Sequence, residues 1–416
     1  MQKKIIALAV AGLSTAAFAQ TNVTIYGVAD VSGQGYNQSN VKNGTSANGY
    51  NGGNTFNIQS NSSLIGFKGT EDLGNGLQAL FQAETTLYLA GGSSGSQFGT
   101  GNLFGTTGMR DSFVGLNTKY GTALAGYLST PFRSSLTSFD VMPGATGASQ
   151  IDKQMGSMRF GSVDGLQLSS AIRATAIAYA MPTLYGFDAS IAYTGSNNNG
   201  TNNTTQLKDC NTSATDTSAC TATPQSALSL NLGWTGYGVS VKGAFQQANT
   251  SFSSAQGSGN LTNPQNIGDY TSYLVGAMYT GVQNLKVSGV YLRNTLGTNG
   301  VTDLTTAGAG KISNNQFYLG TSYRMGNWEP RLSATWSSDV DGSNIQQMGS
   351  RQWTANLGYY LSKRTQMYGV ISNLNNSANQ NYTFGQQGSN LGVASSSGTT
   401  MGFNMFTYGM GMRTTF

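Results

Sequence analysis

The feature that most constrains this chain is an alternation of apolar with polar or small residues, which continues to the last residue. In the closing stretch FTYGMGMRTTF, which runs from Phe406 to Phe416, every even-numbered residue except Thr414 is aromatic or Met. The odd-numbered residues are Gly, Thr or Arg413. Successive side chains of a β-strand point to opposite faces, so the pattern predicts a strand with one apolar and one polar face. Chain ends usually fray, and this one is instead patterned like a strand used along its full length.

The same alternation recurs in segments of about ten residues along the chain after Gln20. This length matches a tilted β-strand that crosses a membrane. Seven short, turn-like connections alternate with eight long ones rich in Gly, Ser, Asn and Thr, which predicts about sixteen strands. An even antiparallel set with short turns at one end and long loops at the other is typical of an outer-membrane barrel. A soluble β-sandwich would not need so many strands in one sheet.

Composition favours a barrel over a helical membrane protein or a disordered chain. Charged residues make up only 9% of the 416 residues, hydrophobic residues 38% and aromatic residues 10%. After the N-terminus no apolar run approaches the ~20 residues that a membrane helix needs, and the regularly placed aromatic residues argue against disorder. Every backbone N–H and C=O must be paired in hydrocarbon, so a sheet can cross only when it is closed. We therefore predict an all-β, transmembrane antiparallel barrel with a polar lumen.

The first residues have the pattern of a secretory signal. Two lysines precede an apolar run, and Ala17 and Ala19 form an A-x-A pattern, so cleavage is expected after Ala19. We expect residues 1–19 to be removed and residues 20–416 to form a single barrel domain. The alternative is a short N-terminal membrane anchor, which would need a longer apolar run.

Several functional classes lack the residues they require. The formal net charge is only +5 and no basic run is present, which argues against nucleic-acid binding. The chain has no His, which excludes a Ser–His catalytic arrangement and leaves little from which to build a zinc site. We predict that the protein is not an enzyme and that it needs no cofactor or metal. Cys210 and Cys220 lie close together in a polar segment, and in an exported protein this spacing favours a disulfide over two free thiols.

Three segments resemble the general porins of Gram-negative β-proteobacteria. They are VTIYGVAD near the mature N-terminus, LIGFKGTEDLGNGLQALFQAE at the first turn, and SFVGLNTKYGTALAGY. With the terminal Phe416, the resemblance covers essentially the whole mature chain, and GFKGTEDLGNGL is its most specific motif. It implies a sixteen-stranded barrel in the outer membrane, a homotrimer, and a third long loop that folds into the lumen and narrows it. It also implies contact with outer-membrane lipid and lipopolysaccharide, and recognition of Phe416 by the barrel-assembly machinery.

The resemblance further implies which residues form the constriction. Porins of this type place acidic groups of the third loop opposite basic side chains of the barrel wall. By position, Asp140 matches the loop acid, Arg110 matches one wall arginine and Arg173 a second. Relatives often carry an arginine where this chain has Leu64 and Tyr127, so the wall is less basic than usual.

The residues themselves add three further lumen candidates. Lys68 and Lys242 have inward parity in their strands, and each either lines the lumen or is a solvated charge without effect on selectivity, since rings of charge usually decide selectivity. Arg133 with Asp140 leaves two interpretations: an ion pair that stabilises the third loop, or a role in the constriction, which the loop position favours. Aromatic residues near strand ends are predicted to form interfacial girdles. These are Tyr88, Tyr120, Tyr185, Tyr237, Trp328 and Tyr360.

The sequence therefore predicts a general porin of the outer membrane. Small hydrophilic solutes and ions would diffuse passively through a water-filled lumen, with weak ion selectivity. A substrate-specific sugar channel is one alternative, although it would show an aromatic stripe facing the lumen, and the aromatic residues here mostly have the lipid parity. An adhesin or scaffold barrel with long loops and an occluded lumen is the other.

Overall fold

A computed structural model describes eleven segments of the chain. They are residues 22–39, 54–90, 109–142, 148–159, 167–195, 220–222, 226–249, 252–254, 268–298, 310–384 and 401–416. No helix within these segments is long and apolar enough to cross a membrane. The expected signal at residues 1–19 and one cysteine of the predicted disulfide, Cys210, lie outside the described residues.

The described segments are almost entirely β-strands joined by turns. Their strands are β1 (Asn22–Ser39), β2 (Asn54–Ser60), β3 (Leu64–Gly74), β4 (Leu77–Thr86), β5 (Ser112–Thr118), β6 (Gly121–Ser129), β7 (Ser157–Arg159), β8 (Gln167–Ser169), β9 (Arg173–Ala180), β10 (Phe187–Thr194), β11 (Cys220–Ala222), β12 (Ala227–Gly236), β13 (Val239–Ala248), β14 (Phe252–Ser254), β15 (Tyr270–Tyr279), β16 (Leu285–Gly297), β17 (Lys311–Tyr323), β18 (Trp328–Ser337), β19 (Ser350–Tyr360), β20 (Thr365–Asn376) and β21 (Asn404–Thr415). Between β6 and β7 lie two helices, α1 (Pro131–Ser138) and α2 (Ile151–Gln154).

Seventeen of these strands form one antiparallel sheet that closes on itself. The first half of β1 pairs with β3 and its second half with β2, so β2 and β3 are two parts of one barrel strand, interrupted at residues 61–63. On its other edge β1 pairs with β21 over twelve residue pairs. The closed barrel therefore has sixteen strands, which confirms the number predicted from the alternation.

The closing strand is used up to its last residue. The backbone N–H of Phe416 donates to the carbonyl O of Gly27 at 3.1 Å, and the N–H of Gly27 donates to the carbonyl O of Phe416 at 3.0 Å. The Phe416 ring lies directly over Gly27, where a Cβ atom would come within 2.4 Å of the ring. The missing side chain at residue 27 thus makes room for the terminal aromatic ring at the seam.

The short connections predicted from the sequence are tight turns. Two of them place two consecutive residues at positive φ, Tyr185–Gly186 and Tyr237–Gly238, and in a third Gly74, Asn75 and Gly76 all have positive φ beside a register shift between Asp72 and Gly74. Two consecutive positive φ values are typical of a two-residue type I′ hairpin turn, which suits the twist of the flanking strands and favours Gly at its second position. The strand ends from which the long connections start all lie at the opposite end of the antiparallel sheet.

The two faces of the sheet differ as the alternation predicted. Outward side chains such as Val23 and Ile25 are apolar and exposed, whereas inward ones such as Ser32, Gln34 and Thr407 are polar and buried. An apolar outer band and a polar interior are what lipid outside and water inside require.

The predicted interfacial aromatic residues are placed unequally. Tyr120, Tyr185, Tyr237 and Trp328 are exposed at the end with the short turns, as expected for a girdle. Tyr88 follows β4 and is half-buried. For Tyr360 the prediction was wrong, because its side chain points inward and binds charged groups. Its hydroxyl donates to Glu329 Oε2 at 2.6 Å and accepts from Arg331 Nη2 at 3.1 Å.

The connection from β6 to β9 packs on inward-facing side chains of the opposite wall. Six of its apolar residues form a buried core with five residues of β13, β15, β16 and β17. They are Phe132, Leu136, Phe139, Ile151, Met155 and Ala171, against Ala244, Leu274, Val290, Leu292 and Tyr318. Hydrogen bonds add to the core: the Phe132 N–H donates to Ser229 Oγ at 3.0 Å, and Ser288 Oγ donates to the carbonyl O of Phe139 at 2.7 Å.

Helix α1 begins with local features that fix its position. Thr130 is its N-cap and accepts the Arg133 N–H at its hydroxyl, 3.3 Å away, and Pro131 occupies the first turn. Both are favoured at helix starts, because the first N–H groups have no partner inside the helix. The buried face of α1, which includes Phe132 and Leu136, then lies on the wall.

Candidate channel constriction

A cavity of about 450 Å³ lies between this connection and the wall formed by β1, β3, β6, β9, β21 and the residues that lead into β5. Seven charged residues line it, with hydroxyl groups of Ser129, Ser134, Thr137 and Ser138 between them. The charged residues are Arg110, Asp111, Arg133, Asp140, Asp152, Arg173 and Arg413. Four arginines and three aspartates nearly balance, and in so narrow a space between low-dielectric walls their charges act more strongly on a solute than in bulk water.

Each arginine of the wall has a carboxylate within 4 Å. The pairs are Arg110–Glu84 at 3.6 Å, Arg173–Asp111 at 3.0 Å and Arg413–Asp30 at 3.3 Å. Burial lowers the pKa of Arg110 to about 10, which still leaves its guanidinium protonated at neutral pH. Because a carboxylate offsets each positive charge nearby, the wall presents a weaker field to the cavity than unpaired arginines would.

Arg133 binds Asp152 instead of Asp140. Its Nη1 forms an ion pair with Asp152 Oδ2 and also donates to the carbonyl O of Ala171 at 2.9 Å. The pair joins α1 to α2, so it stabilises the connection internally. No Arg133–Asp140 ion pair forms in the part of the chain that the structure describes, although both side chains line the cavity.

Asp140 lines the cavity and is held from three sides. Its Oδ1 accepts the Met142 N–H at 3.0 Å and the Tyr318 hydroxyl at 3.4 Å, and its Oδ2 accepts the Ile151 N–H at 3.2 Å. Burial raises the pKa of Asp140 to about 7, although the hydrogen bonds act in the opposite direction. Asp140 therefore shapes the connection, and its charge in the cavity changes near neutral pH.

Of the other predicted lumen residues, Leu64 also lines the cavity, facing Val28 across the β1–β3 register. The structure thus brings Leu64, Arg110, Arg133, Asp140 and Arg173 together around one space.

Two predicted residues, Lys68 and Lys242, lie elsewhere in the described part of the barrel. Lys68 is exposed in β3, with its Nζ 5.0 Å from the centre of the Tyr26 ring. Lys242 in β13 lies 3.8 Å from Asp188. Tyr127 in β6 is not among the residues that line the cavity, but it lies beside it, two positions before the lining residue Ser129 on the same face of the strand.

The disulfide remains a prediction. Cys220 begins β11, which pairs with β14, but Cys210 is not among the described residues.

The sequence did not single out Glu84, Asp111 or Asp152, which pair with the arginines of the site. Each ion pair joins residues from separate parts of the chain, so no local spacing reveals it. Arg413 could be recognised from the sequence, because it alternates with the apolar residues of the last strand and is therefore predicted to face the lumen.

Comparison with known proteins agrees with this architecture. Residues 6–379 match the family model of the Gram-negative porins. The chain belongs to the Gram-negative porin family. An outer membrane porin protein of Bordetella pertussis is 30% identical over 306 residues, which cover 71% of this chain and 70% of that protein. Major outer membrane protein P.IB of Neisseria gonorrhoeae is 33% identical over 206 residues, which cover 49% of this chain and 51% of that protein. The match therefore spans about half the length of P.IB.

Solved structures share the fold of this porin. An anion-selective porin from Comamonas acidovorans has a TM-score of 0.64 at 21% identity, covering 95% of this chain and all of that one. A trimer form of OmpT from Vibrio cholerae has a TM-score of 0.56 at 14% identity, covering 95% of this chain and 99% of that one. At these identities the likeness concerns the fold alone. Family membership and the apolar outer band of the barrel place the protein in the outer membrane of a Gram-negative bacterium.

Proposed function

We propose that this protein is a general porin, a passive diffusion channel for small hydrophilic solutes and ions. The observation that carries the proposal is the charged, hydroxyl-lined cavity between the connection that bears α1 and the inner wall of a closed barrel. Solutes would pass between Asp140 and Arg133 on one side and the paired arginines of the wall on the other. The nearly balanced charges support weak ion selectivity.

Single-channel recording in planar bilayers tests this function directly. The purified protein should give discrete conductance steps in KCl, and a reversal potential close to zero in a KCl gradient. A protein that inserts into the bilayer but gives no steps would favour the scaffold alternative.

A substrate-specific channel is a second candidate, because one observation favours a narrower lumen. Met158 of β7 and Leu168 of β8 are fully buried in a core with inward residues of the barrel, including Ala227, Tyr270 and Leu296. This short pair of strands reduces the space available to solutes beside the constriction. Liposome swelling with sugars of increasing size distinguishes the two functions: a general porin admits all of them up to one size limit, whereas a specific channel prefers one chemical class.

The proposal extends to assembly as a homotrimer in contact with lipopolysaccharide. The trimer form of OmpT supports the first part, and so does the apolar outward face of β1 and β21, which includes Val23, Ile25, Met410 and Met412. Heat-dependent migration on gels and chemical cross-linking measure the number of subunits, and a purely monomeric barrel would contradict this part.

We further propose that the barrel-assembly machinery recognises Phe416. Deleting Phe416 removes the ring over Gly27 and a backbone pair of the seam. We expect the amount of barrel inserted in cells to fall severalfold or more, while the conductance of the inserted fraction stays unchanged. Pulse-labelling with a protease-protection assay measures insertion. Normal insertion of the shortened chain would refute the role of Phe416.

A further inference from the structure

The seam between β1 and β21 pairs the two strands of the barrel that no turn joins. In a hairpin, the turn fixes which residues of the two strands face each other, and strands rich in glycine specify this register only weakly. The two seam strands contain five glycines, Gly27, Gly33, Gly35, Gly409 and Gly411. The seam therefore needs a register signal that comes from its own side chains.

Each strand of the seam carries a single charged residue, Asp30 in β1 and Arg413 in β21. These two residues are direct register partners. No other ladder pair of the described barrel sets an acidic residue opposite a basic one. Gly27 and Phe416 exchange backbone hydrogen bonds, so Asp30 and Arg413, three positions further along, form a non-hydrogen-bonded pair, in which side chains lie closer together.

Asp30 is fully buried, and its partners come from three other segments of the barrel. Its Oδ2 accepts Arg413 Nη1 of β21 at 3.3 Å. Its Oδ1 accepts the Tyr368 hydroxyl of β20 at 2.7 Å and Asn61 Nδ2, from the interruption between β2 and β3, at 3.2 Å. The Asp30 N–H donates to Ser63 Oγ at 2.9 Å. One carboxylate thus joins the first strand of the barrel to its last two strands and to the interruption.

The two donors to Asp30 Oδ1 are themselves held in place. Asn61 Nδ2 also donates to the Tyr368 hydroxyl at 2.9 Å and to Ser32 Oγ at 2.8 Å. Tyr368 reaches Asp30 because its register partner is Gly411, where a side chain would collide with the Tyr368 hydroxyl. The surroundings of the carboxylate are therefore arranged before Arg413 is added.

A different register at the seam would separate the charges. A shift of one residue turns the polar face of β21 towards lipid, so the smallest shift that keeps both faces is two residues. Either such shift sets Gly411 or Thr415 opposite Asp30 and leaves a buried carboxylate without its cation, which is strongly destabilising. The outward face fits the same register, because the Tyr408 ring lies over Gly35, but this apolar contact leaves no charge buried when it is lost.

We propose that Asp30 and Arg413, the seam pair, select the register in which this barrel closes. Strand number and register stagger together set the tilt of the strands and the width of a barrel. The seam pair therefore fixes the cross-section of the lumen into which the connection between β6 and β9 folds. The inference concerns closure of the barrel and does not depend on conduction through it.

Disulfide trapping in isolated outer membranes reads the register of the full-length protein, with its two native cysteines replaced by serine. Val31→Cys with Met412→Cys joins outward register partners and reports the native register. Val31→Cys with Met410→Cys, or with Thr414→Cys, reports a shift of two residues in either direction. Hydrogen-bonded partners have Cα atoms about 5.5 Å apart, which a disulfide spans, whereas diagonal neighbours at about 7–8 Å are too distant.

With the seam pair intact, the Val31→Cys and Met412→Cys protein should form nearly all of the disulfide. Arg413→Gln should raise the share of shifted disulfides about fivefold or more, because no register then compensates the buried carboxylate. The matched control is Lys242→Gln, which removes a cation that faces Asp188 within the lumen but away from the seam. This control should keep the native register.

Tyr368→Phe is a milder variant, which removes only the hydroxyl that donates to Asp30. It should raise the share of shifted disulfides about twofold, and it decides the test if Arg413→Gln does not reach the membrane. Native disulfides alone in every inserted variant would overturn the role of the seam pair and assign the register to the rings that cover glycines. An equal rise in Lys242→Gln would overturn it as well, because the register would then respond to any lost lumen charge. Heat-dependent migration on gels shows that each trapped barrel is folded, and none of these readings changes if the channel proposal fails.

Discussion

On the wall that faces the cavity, formed by β1, β3, β6, β9, β21 and the residues that lead into β5, the inward arginines are paired with carboxylates, as in Arg413 with Asp30. On the opposite wall, formed by β13 and β15 to β17, inward side chains such as Leu274 and Leu292 are apolar and buried. The first wall faces the cavity, whereas the second is covered by the connection that carries α1 and Phe139. An inward position is thus polar where it meets water and apolar where it meets protein. The apolar wall anchors the connection, and the charged wall sets the chemistry of the opening.

Weakening the apolar contact between the connection and the wall of β13 and β15 to β17 should have the largest effect on conductance. Phe139 is buried, and its ring lies over Gly276, where a Cβ atom would come within 2.4 Å of the ring. Phe139→Ala should destabilise the packing of the connection by about 3–5 kcal/mol, because it leaves a cavity in the core. We expect a larger and noisier single-channel conductance in planar bilayers.

The matched control for the anchor is Phe317→Ala, which shortens the same side chain on the outward face, where Phe317 is exposed. This control should keep the wild-type conductance. If Phe139→Ala gave the same steady conductance as Phe317→Ala, the apolar wall would not be what holds the connection.

Removing the carboxylates that pair with the wall arginines should have the next largest effect, on ion selectivity. Glu84→Gln combined with Asp111→Asn leaves Arg110 and Arg173 without their carboxylates. The chloride-to-potassium permeability ratio, obtained from the reversal potential in a KCl gradient, should rise roughly threefold or more, because two negative charges near the opening are lost. Leu64→Arg should shift the ratio in the same direction by adding one positive charge.

Asp188→Asn is the control for this shift. It frees Lys242, which pairs with Asp188 away from the cavity, and should leave the reversal potential almost unchanged. A shift as large as that of the wall variants would mean that selectivity is set along the whole lumen.

The smallest expected effect is the pH dependence of Asp140, the acidic residue that the connection presents to the opening. Burial raises its pKa to about 7, so it loses its negative charge as the pH falls from 8 to 6. The removal of one negative charge should move the reversal potential modestly towards anions at the lower pH. Asp140→Asn should abolish most of this pH dependence, and an undiminished dependence in that variant would assign the titration to another group.

Much of the barrel could be predicted because alternation is a local property of the sequence. Strand number, turn positions and the inward parity of Lys242 and Arg413 all follow from reading every second residue. The apolar stretch around Leu292 breaks the rule, since this side chain points inward and yet is apolar. Its partner, Phe139, lies about 150 residues earlier in the sequence, and no local pattern links the two.

The site was less predictable for a related reason. Resemblance to known porins pointed to Arg110, Asp140 and Arg173, all of which line the cavity. The carboxylates that pair with Arg110 and Arg173 come from distant parts of the sequence, and Arg133 pairs with Asp152 because α2 lies beside α1. Tyr127 is not among the residues that line the cavity, although it shares a face of β6 with Ser129, which does.

The seam between β1 and β21 has a consequence for how the molecule is built. In the described barrel every other pairing joins barrel strands that follow one another along the chain, so these can form by successive hairpin steps. The seam joins Val28 to Thr415 and Ser39 to Asn404, nearly the whole sequence apart. Contacts of such high sequence separation form slowly, because a long loop must first be closed. Until they form, the sheet has two unpaired edges that invite aggregation, so the time before closure is when this protein most depends on a folding catalyst.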